Sequence, residues 1–222
     1  MIRRQNRIVA LVVATLAVVA PARAGSDDAP NGTAVHLFDG ESFAGWVGDT
    51  ASVWRIEDGA ITAGSETTPL KVNRFLCTER EFGDFELTFK TRFTGERNFN
   101  GGVQFWSRRL EDGVGVAGFQ ADISPRYDGC LYDEARRRKL LACPDPATRS
   151  KAQAGVDADG WHTFRVRAAG DRIEISLNGV RTAEYVEKNG AIPRSGILAL
   201  QVHRGMYGAI SYKDIEIVEL SP

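Results

Sequence analysis

Three short segments of the chain place groups that bind sugars or transfer protons at every second position, with apolar residues between them. In residues 102–108, Gln104, Trp106 and Arg108 alternate with Val103 and Phe105. In residues 118–124, Gln120 and Asp122 alternate with Phe119, Ala121 and Ile123, and in residues 196–203, Gln201 and His203 alternate with Leu198, Leu200 and Val202. Successive side chains of a strand point to opposite faces, so each segment offers one face to a core and the other to chemistry. Three amides, a carboxylate, a guanidinium, an imidazole and an indole make a set suited to a saccharide. The amides and charges match hydroxyls, and the indole matches the apolar face of a ring. The alternative, an ordinary solvated sheet face, favours Lys, Glu, Thr and Ser over this mixture. His203, beside Gln201, is a candidate acid, base or ligand. Tyr132, Asp133 and Glu134 supply a tyrosine and two acids; one is a candidate base or metal ligand, unless they cap the chain and pair with Arg136 to Lys139. His36 and His162 read as structural.

Other chemistries are excluded by what the 222 residues lack. There is no CxxC, HExxH, phosphate-binding Gly-rich motif or GxSxG elbow, and no plausible Ser/His/Asp order. The closely spaced acidic triplet of laminarinase-type glycosidases is also missing, which argues against hydrolysis by a carboxylate pair. Lys plus Arg number 28 against 29 Asp plus Glu, a net charge of -1, so no global field draws the chain to nucleic acid or an anionic membrane. A small saccharide or glycoside ligand fits this balance better.

Positioning those residues falls to β-structure. Residues 85–93 alternate Phe85, Leu87, Phe89 and Phe93 with Glu86, Thr88, Lys90 and Arg92, a half-buried strand. Residues 161–168 and Ile173, Ile175 and Leu177 form a meander closed by Asn178-Gly179, a two-residue hairpin signal. In the last strand the apolar parity switches from Ile210 and Tyr212 to Ile215 and Ile217, which requires a bulge near Lys213-Asp214. Further strands are expected at 35–38, 53–56, 60–63, 74–78, 180–185 and in the three segments above, with no long helix. About a dozen antiparallel strands pack best as two stacked sheets, so the expected class is all-β, a jelly-roll β-sandwich. Residues 126–159 show little β pattern and read as a long functional loop.

The first 24 residues have the form of a secretory signal peptide. Arg3, Arg4 and Arg7 precede an apolar stretch over residues 8–20, and Ala22-Arg23-Ala24 is a small-x-small cleavage site. The expected organisation is a signal peptide at 1–24, a flexible leader at 25–34 and one β-sandwich domain at 35–222. Cleavage removes four arginines and takes the formal charge to -5. With no other long apolar stretch, the expected product is periplasmic or secreted, with no membrane span. Such a compartment permits disulfides: Cys130 and Cys143 either bridge or stay free, and Cys77, in an apolar run, reads as a buried thiol.

In order along the chain stand Leu37-Phe38-Asp39-Gly40, Gly45-Trp46, Trp54 with Asp58-Gly59, and Phe82-Gly83-Asp84-Phe85-Glu86-Leu87. Asn100-Gly101-Gly102-Val103-Gln104-Phe105, Gly118-Phe119-Gln120-Ala121-Asp122-Ile123, Gly129-Cys130-Leu131-Tyr132-Asp133-Glu134, Asn178-Gly179 and Leu200-Gln201-Val202-His203 follow. Over roughly residues 35–220 this succession resembles the 3-keto-disaccharide hydrolase domain family. The resemblance implies a fold of the concanavalin A-like lectin/glucanase type and glycosides whose C3 hydroxyl has been oxidised to a ketone. A C3 ketone acidifies the C2 proton, so a base can start β-elimination of the C1 substituent, and water can then add back to give net hydrolysis. On that implication His203 or Glu134 is the base, and Arg108, Gln104 and Gln201 bind oxygens. Asp122 orients or, with Glu134 and His203, holds a divalent cation; Gln120 and Tyr132 line the site and Trp106 stacks on a sugar. Three positions depart from the family pattern: Gly101, where Ser is frequent, Gln120, where many members have Glu, and Cys77, where an aromatic is common. A carbohydrate-binding module needing no base is the alternative.

Overall fold

The structure, a computed structural model, describes residues 32–221. The expected signal peptide and most of the leader lie outside the described residues. Along the chain run β1 (Val35–His36), β2 (Trp46–Val47), β3 (Trp54–Glu57), β4 (Ala60–Ser65), β5 (Arg74–Phe82), β6 (Phe85–Arg97), β7 (Gly101–Arg109) and β8 (Val116–Ile123). Then follow β9 (Leu131–Glu134), β10 (Lys139–Ala142), the helix α1 (Pro146–Gln153), β11 (His162–Ala169), β12 (Arg172–Leu177), β13 (Val180–Val186), β14 (Gly196–Val202) and β15 (Tyr207–Glu219).

Two antiparallel sheets result. One has the order β13-β12-β11-β6-β15-β4-β3 with β1 paired to β15, and the other the order β10-β9-β8-β7-β14-β5-β2. The alternation read from the sequence holds at the core. Phe85, Leu87 and Phe89 of β6, Phe164 and Val166 of β11, and Ile215 and Ile217 of β15 meet Phe119, Ala121, Leu198 and Leu200 of the other sheet, all essentially without solvent contact. Phe89 and Phe164 stack with ring centroids 5.2 Å apart. The bulge required by the parity switch in β15 is present: register shifts between Lys213 and Glu216, where Asp214 adopts φ +49.

Residues 126–159 are more ordered than their pattern suggests, a correction to the loop reading. They hold the β9–β10 hairpin and α1, which starts on an Asp145 side chain accepting the N–H groups of Ala147 and Thr148. The hairpin was obscured because its inward residue is a charge. Asp133 is fully buried and accepts a hydrogen bond from Arg136 Nε at 2.8 Å and another from Arg137, whose Nη2 also reaches Glu187 at 2.6 Å. Cys130 and Cys143 are bridged, tying the chain just before β9 to the chain just after β10. Cys77 is a free buried thiol. No helix among the described residues is long and apolar enough to cross a membrane.

Candidate active site

The outer face of the seven-stranded sheet carries two registered rows of side chains. Ala199, Gln104, Gln120 and Tyr132 are neighbours across β14, β7, β8 and β9, and Gln201, Gly102 and Asp122 form the next row. These residues line or adjoin a pocket of about 250 Å³ bounded by Asn100, Gln120, Asp122, Glu134, Gln201 and His203, with Tyr127, Tyr132 and Leu140 completing its wall. It opens past Tyr132, Glu134 and His203 into a wider groove of about 620 Å³. A larger depression of about 910 Å³ lies on the other sheet. It has a Thr62–Ser211 floor and no histidine, and Glu57, Asp58 and Glu66 around it are exposed. The smaller pocket, in contrast, brings a histidine together with a buried carboxylate, Asp122, and a half-buried one, Glu134.

Burial governs that pocket. Gln104, Gln120, Asp122 and Gln201 are each at most 7% exposed, so the polar face is not a solvated one. Gln104 Nε2 donates to Gln120 Oε1 at 3.1 Å, and Gln120 Nε2 donates to Asp122 Oδ1 at 3.2 Å. Burial raises the Asp122 carboxyl to about 7, outweighing the Gln120 hydrogen bond, while Glu134 and Asp128 reinforce the rise. With Oδ1 occupied, Oδ2 is the oxygen left to carry a proton. Glu134 is likewise raised by burial, with Arg138 opposing. Tyr132 rises by burial too. His203 moves the other way: burial lowers it, and its Nδ1 lies 2.7 Å from the Arg204 carbonyl. With Nδ1–H donated there, Nε2 keeps its lone pair.

Both polar atoms of the Gln201 amide are buried without a hydrogen-bond partner among the described residues, as is Gln104 Oε1. An unsatisfied buried amide is costly unless a ligand completes it. Beneath this floor Tyr212 of β15 crosses the core: its hydroxyl lies 2.6 Å from the Gln201 carbonyl and accepts the Gly102 N–H at 3.3 Å. It locks β7 to β14 at the Gln201–Gly102 pair of the second row.

Two expected site residues are placed elsewhere. One extra residue enters β7 between Phe105 and Arg108, at Trp106, which adopts φ +44. Trp106 therefore turns into the core, 2% exposed, against Phe85, Phe105 and Phe119, and its indole N–H donates to the Gly83 carbonyl at 2.7 Å. Beyond the bulge Arg108 pairs with Ala117, on the face of Phe119 and not of Gln120, and is exposed away from the pocket lining. Gln104, Gln120, Asp122, Tyr132, Glu134, Gln201 and His203 are brought together as expected. Asn100, Tyr127 and Leu140 were missed, because strand parity does not reach residues before β7, in the 124–130 turn or in β10.

The three candidate metal ligands, Asp122, Glu134 and His203, all line the pocket. Among the described residues, however, no group of three or more His, Cys, Asp or Glu side chains is arranged to hold an ion. Asp122 is engaged by Gln120 at Oδ1 and His203 by a carbonyl at Nδ1, so each keeps one donor atom, Oδ2 and Nε2, but no third ligand is grouped with them among the described residues.

Residues 33–218 match the 3-keto-alpha-glucoside-1,2-lyase-like domain. Among curated proteins none matches the sequence. The fold is similar to a Parabacteroides distasonis protein provisionally assigned as a glycosyl hydrolase, at 16% identity, TM-score 0.61, covering 85% of this chain and 94% of that one. It is also similar to the Bacillus subtilis carbohydrate binding module CBM66, at 15% identity, TM-score 0.56, covering 79% and 96%. A third likeness is to the Bacillus licheniformis beta-glucanase, at 7% identity, TM-score 0.54, covering 86% and 98%. At these identities the likenesses establish the architecture, a two-sheet sandwich of the lectin and glucanase type.

Proposed function

The chain belongs to the 3-keto-alpha-glucoside-1,2-lyase-like domain family, and on that premise we propose that its pocket cleaves glycosides carrying a ketone at C3. The observation that carries this reading is a base and an acid on one small pocket, His203 lowered and Asp122 raised to about 7. Surroundings that raise a carboxyl and lower an imidazole in this way reverse their ordinary order, which suits the two to opposite proton transfers at one pH.

In the proposed reaction Nε2 of His203 takes the proton from C2, and the C2–H electrons form an enolate across C2 and C3. The Gln201 amide N–H, which has no other partner, is a donor available to the developing C3 oxyanion. Collapse of the enolate forms the C1–C2 double bond and expels the substituent at C1, whose oxygen receives the proton of Asp122. Addition of water at C1 and return of a proton to C2 give the free 3-keto sugar. Gln104, Gln120 and Tyr132 hold the ring hydroxyls. Glu134, also raised by burial, is the rival base.

We propose that the chain acts outside the cytoplasm, as the leader suggests. The Cys130–Cys143 bridge supports an oxidising compartment. Retention of Met1 on protein recovered from its native envelope would overturn the export reading. For the activity, the test is incubation of the purified protein with a 3-keto-glucoside and with its unoxidised parent, each with and without a chelator. Release of the aglycone from the keto compound alone, unaffected by chelator, is expected. Binding of either sugar with no turnover would establish the binding-module reading in its place.

A further inference from the structure

The wide part of the groove is bordered by two arginines that make no ion pair among the described residues, although Arg138 is near enough to Glu134 to oppose the rise of its carboxyl. On the eight-stranded sheet four arginines are tied up in ion pairs, Arg165 and Arg167 with Glu86, Arg172 and Arg181 with Glu174 and Glu184, and Arg92 lies over the Trp161 ring. In the run Arg136-Arg137-Arg138 the first two close on Asp133. The third, turned out by a backbone at φ +52, is exposed and makes no ion pair among the described residues. Arg204 is alike. Its backbone is fixed, N–H on Asn73 Oδ1 at 3.1 Å and carbonyl on His203, while its guanidinium is exposed and makes no ion pair among the described residues. Both line the wide groove next to Glu134 and His203, where the group leaving C1 must pass. The carboxylate of Asp112, also on this groove, is held in its own turn by the N–H groups of Val114 at 2.8 Å and Gly115 at 2.7 Å. Phe75 and Val116 supply an apolar floor.

We propose that this wide groove is a subsite for a leaving group bearing a carboxylate, a uronic acid joined through its hydroxyl to the 3-keto sugar. Arg138 and Arg204 grip the carboxylate, and Phe75 and Val116 support the ring. The planar fork of a guanidinium matches a carboxylate, and two arginines held by no ion pair among the described residues favour an anion that a neutral aglycone cannot supply. The proposal rests on the reading of the small pocket as the 3-keto sugar site.

A matched pair of substrates tests it: the 3-keto-glucoside of glucose and that of glucuronate, with one linkage. The acidic glycoside should have the higher kcat/KM, by about tenfold as expected for a charge-assisted hydrogen bond pair. That preference should shrink with added sodium chloride and in Arg138→Gln and Arg204→Gln, each of which should lower kcat/KM for the acidic compound more than for the neutral one. Equal kcat/KM for the two compounds, or a preference insensitive both to salt and to the two substitutions, overturns the proposal. If neither compound is turned over, the lyase reading falls separately, and calorimetry decides the subsite. Tighter binding of the acidic compound, lost in the two variants, upholds it; equal binding, or none, removes it.

Discussion

Gln120 occupies the space over Gly102: a side chain at position 102 would put its Cβ 2.7 Å from Gln120 Cγ and Cδ and 2.8 Å from Nε2. Gly102 sits between Gln201 and Asp122 in its row. Its missing side chain lets the Gln120 amide lie across the sheet and reach both Gln104 and Asp122. Gly102→Ala should therefore displace Gln120 and release Asp122, with a loss of about tenfold in kcat/KM and about 1–3 kcal/mol of stability from overpacking. Gln120→Ala makes room for the new methyl, so the double variant should lose less than the two single losses combined. Thermal melts and steady-state rates on the four proteins give the answer, and strict additivity would refute a shared cause.

Trp106 behaves as a core residue. Since the indole packs on Phe85, Phe105 and Phe119 and bonds to Gly83, Trp106→Ala should cost about 3–5 kcal/mol, as large aromatic truncations in cores do. Denaturant unfolding measures this directly. A variant of unchanged stability with weakened sugar affinity would return Trp106 to the binding face.

The contrast between β7 and β15 shows what the sequence can and cannot convey. Both contain a bulge. In β15 the switch is visible, because Ile210 and Tyr212 lie on one parity and Ile215 and Ile217 on the other. In β7 the residues after the bulge, Ser107, Arg108 and Arg109, carry no apolar marker of the new parity, and a tryptophan suits either face. Strands β8 and β14 could be read correctly because Phe119, Ala121, Ile123, Leu198, Leu200 and Val202 mark one face without ambiguity, and the registered pairs then bring Gln120, Asp122 and Gln201 together. The fold needed only the alternation. The hairpin carrying Tyr132 and Glu134 was hidden because its inward position is Asp133, and a charge buried by two arginines looks like a solvated turn when seen only as letters.

The bridge between Cys130 and Cys143 closes that hairpin, whose strand β9 presents Tyr132 and Glu134 to the pocket. Replacing both cysteines by serine should cost about 3 kcal/mol, the loop-closure value for a short loop. Most of the sandwich core lies on strands the bridge does not touch, so circular dichroism should stay close to that of the parent while KM for the 3-keto-glucoside rises. Unchanged KM in a folded variant would show that the Asp133–Arg136–Arg137 contacts alone hold the hairpin.

Asp122 also ties stability to pH. Its folded value of about 7 lies above the ordinary 3.8 of an aspartate, so between about pH 4 and 7 the folded state binds a proton that the unfolded chain has released. This contribution is fully present below the unfolded value and is lost as pH rises through the folded one. Asp122→Asn removes the titration, and its thermal midpoint should gain on that of the parent from pH 4 to pH 7. Parallel curves for the two proteins would mean that Asp122 is ionised at neutral pH.

On the proposed mechanism Asp122 and His203 together set the rate. His203 must be neutral to take the C2 proton, and its ordinary value of 6.5 is lowered by burial, so activity should climb through an acidic limb below pH 6.5. Asp122 must be protonated to help the leaving group, so activity should fall again as pH passes about 7. The expected kcat/KM profile is a narrow bell between these limbs, and Asp122→Asn should lower the maximum and abolish the alkaline limb. His203→Ala should reduce kcat by about a hundredfold or more, with far less change in ground-state affinity, because a base acts mainly in the transition state. Glu134→Gln keeps shape and hydrogen bonding but removes basicity. If Glu134→Gln loses turnover and the acidic limb while His203→Ala keeps both, Glu134 is the base and its raised carboxyl, not the imidazole, sets the lower limb. If neither substitution changes the rate, proton abstraction in this pocket is not how the protein works.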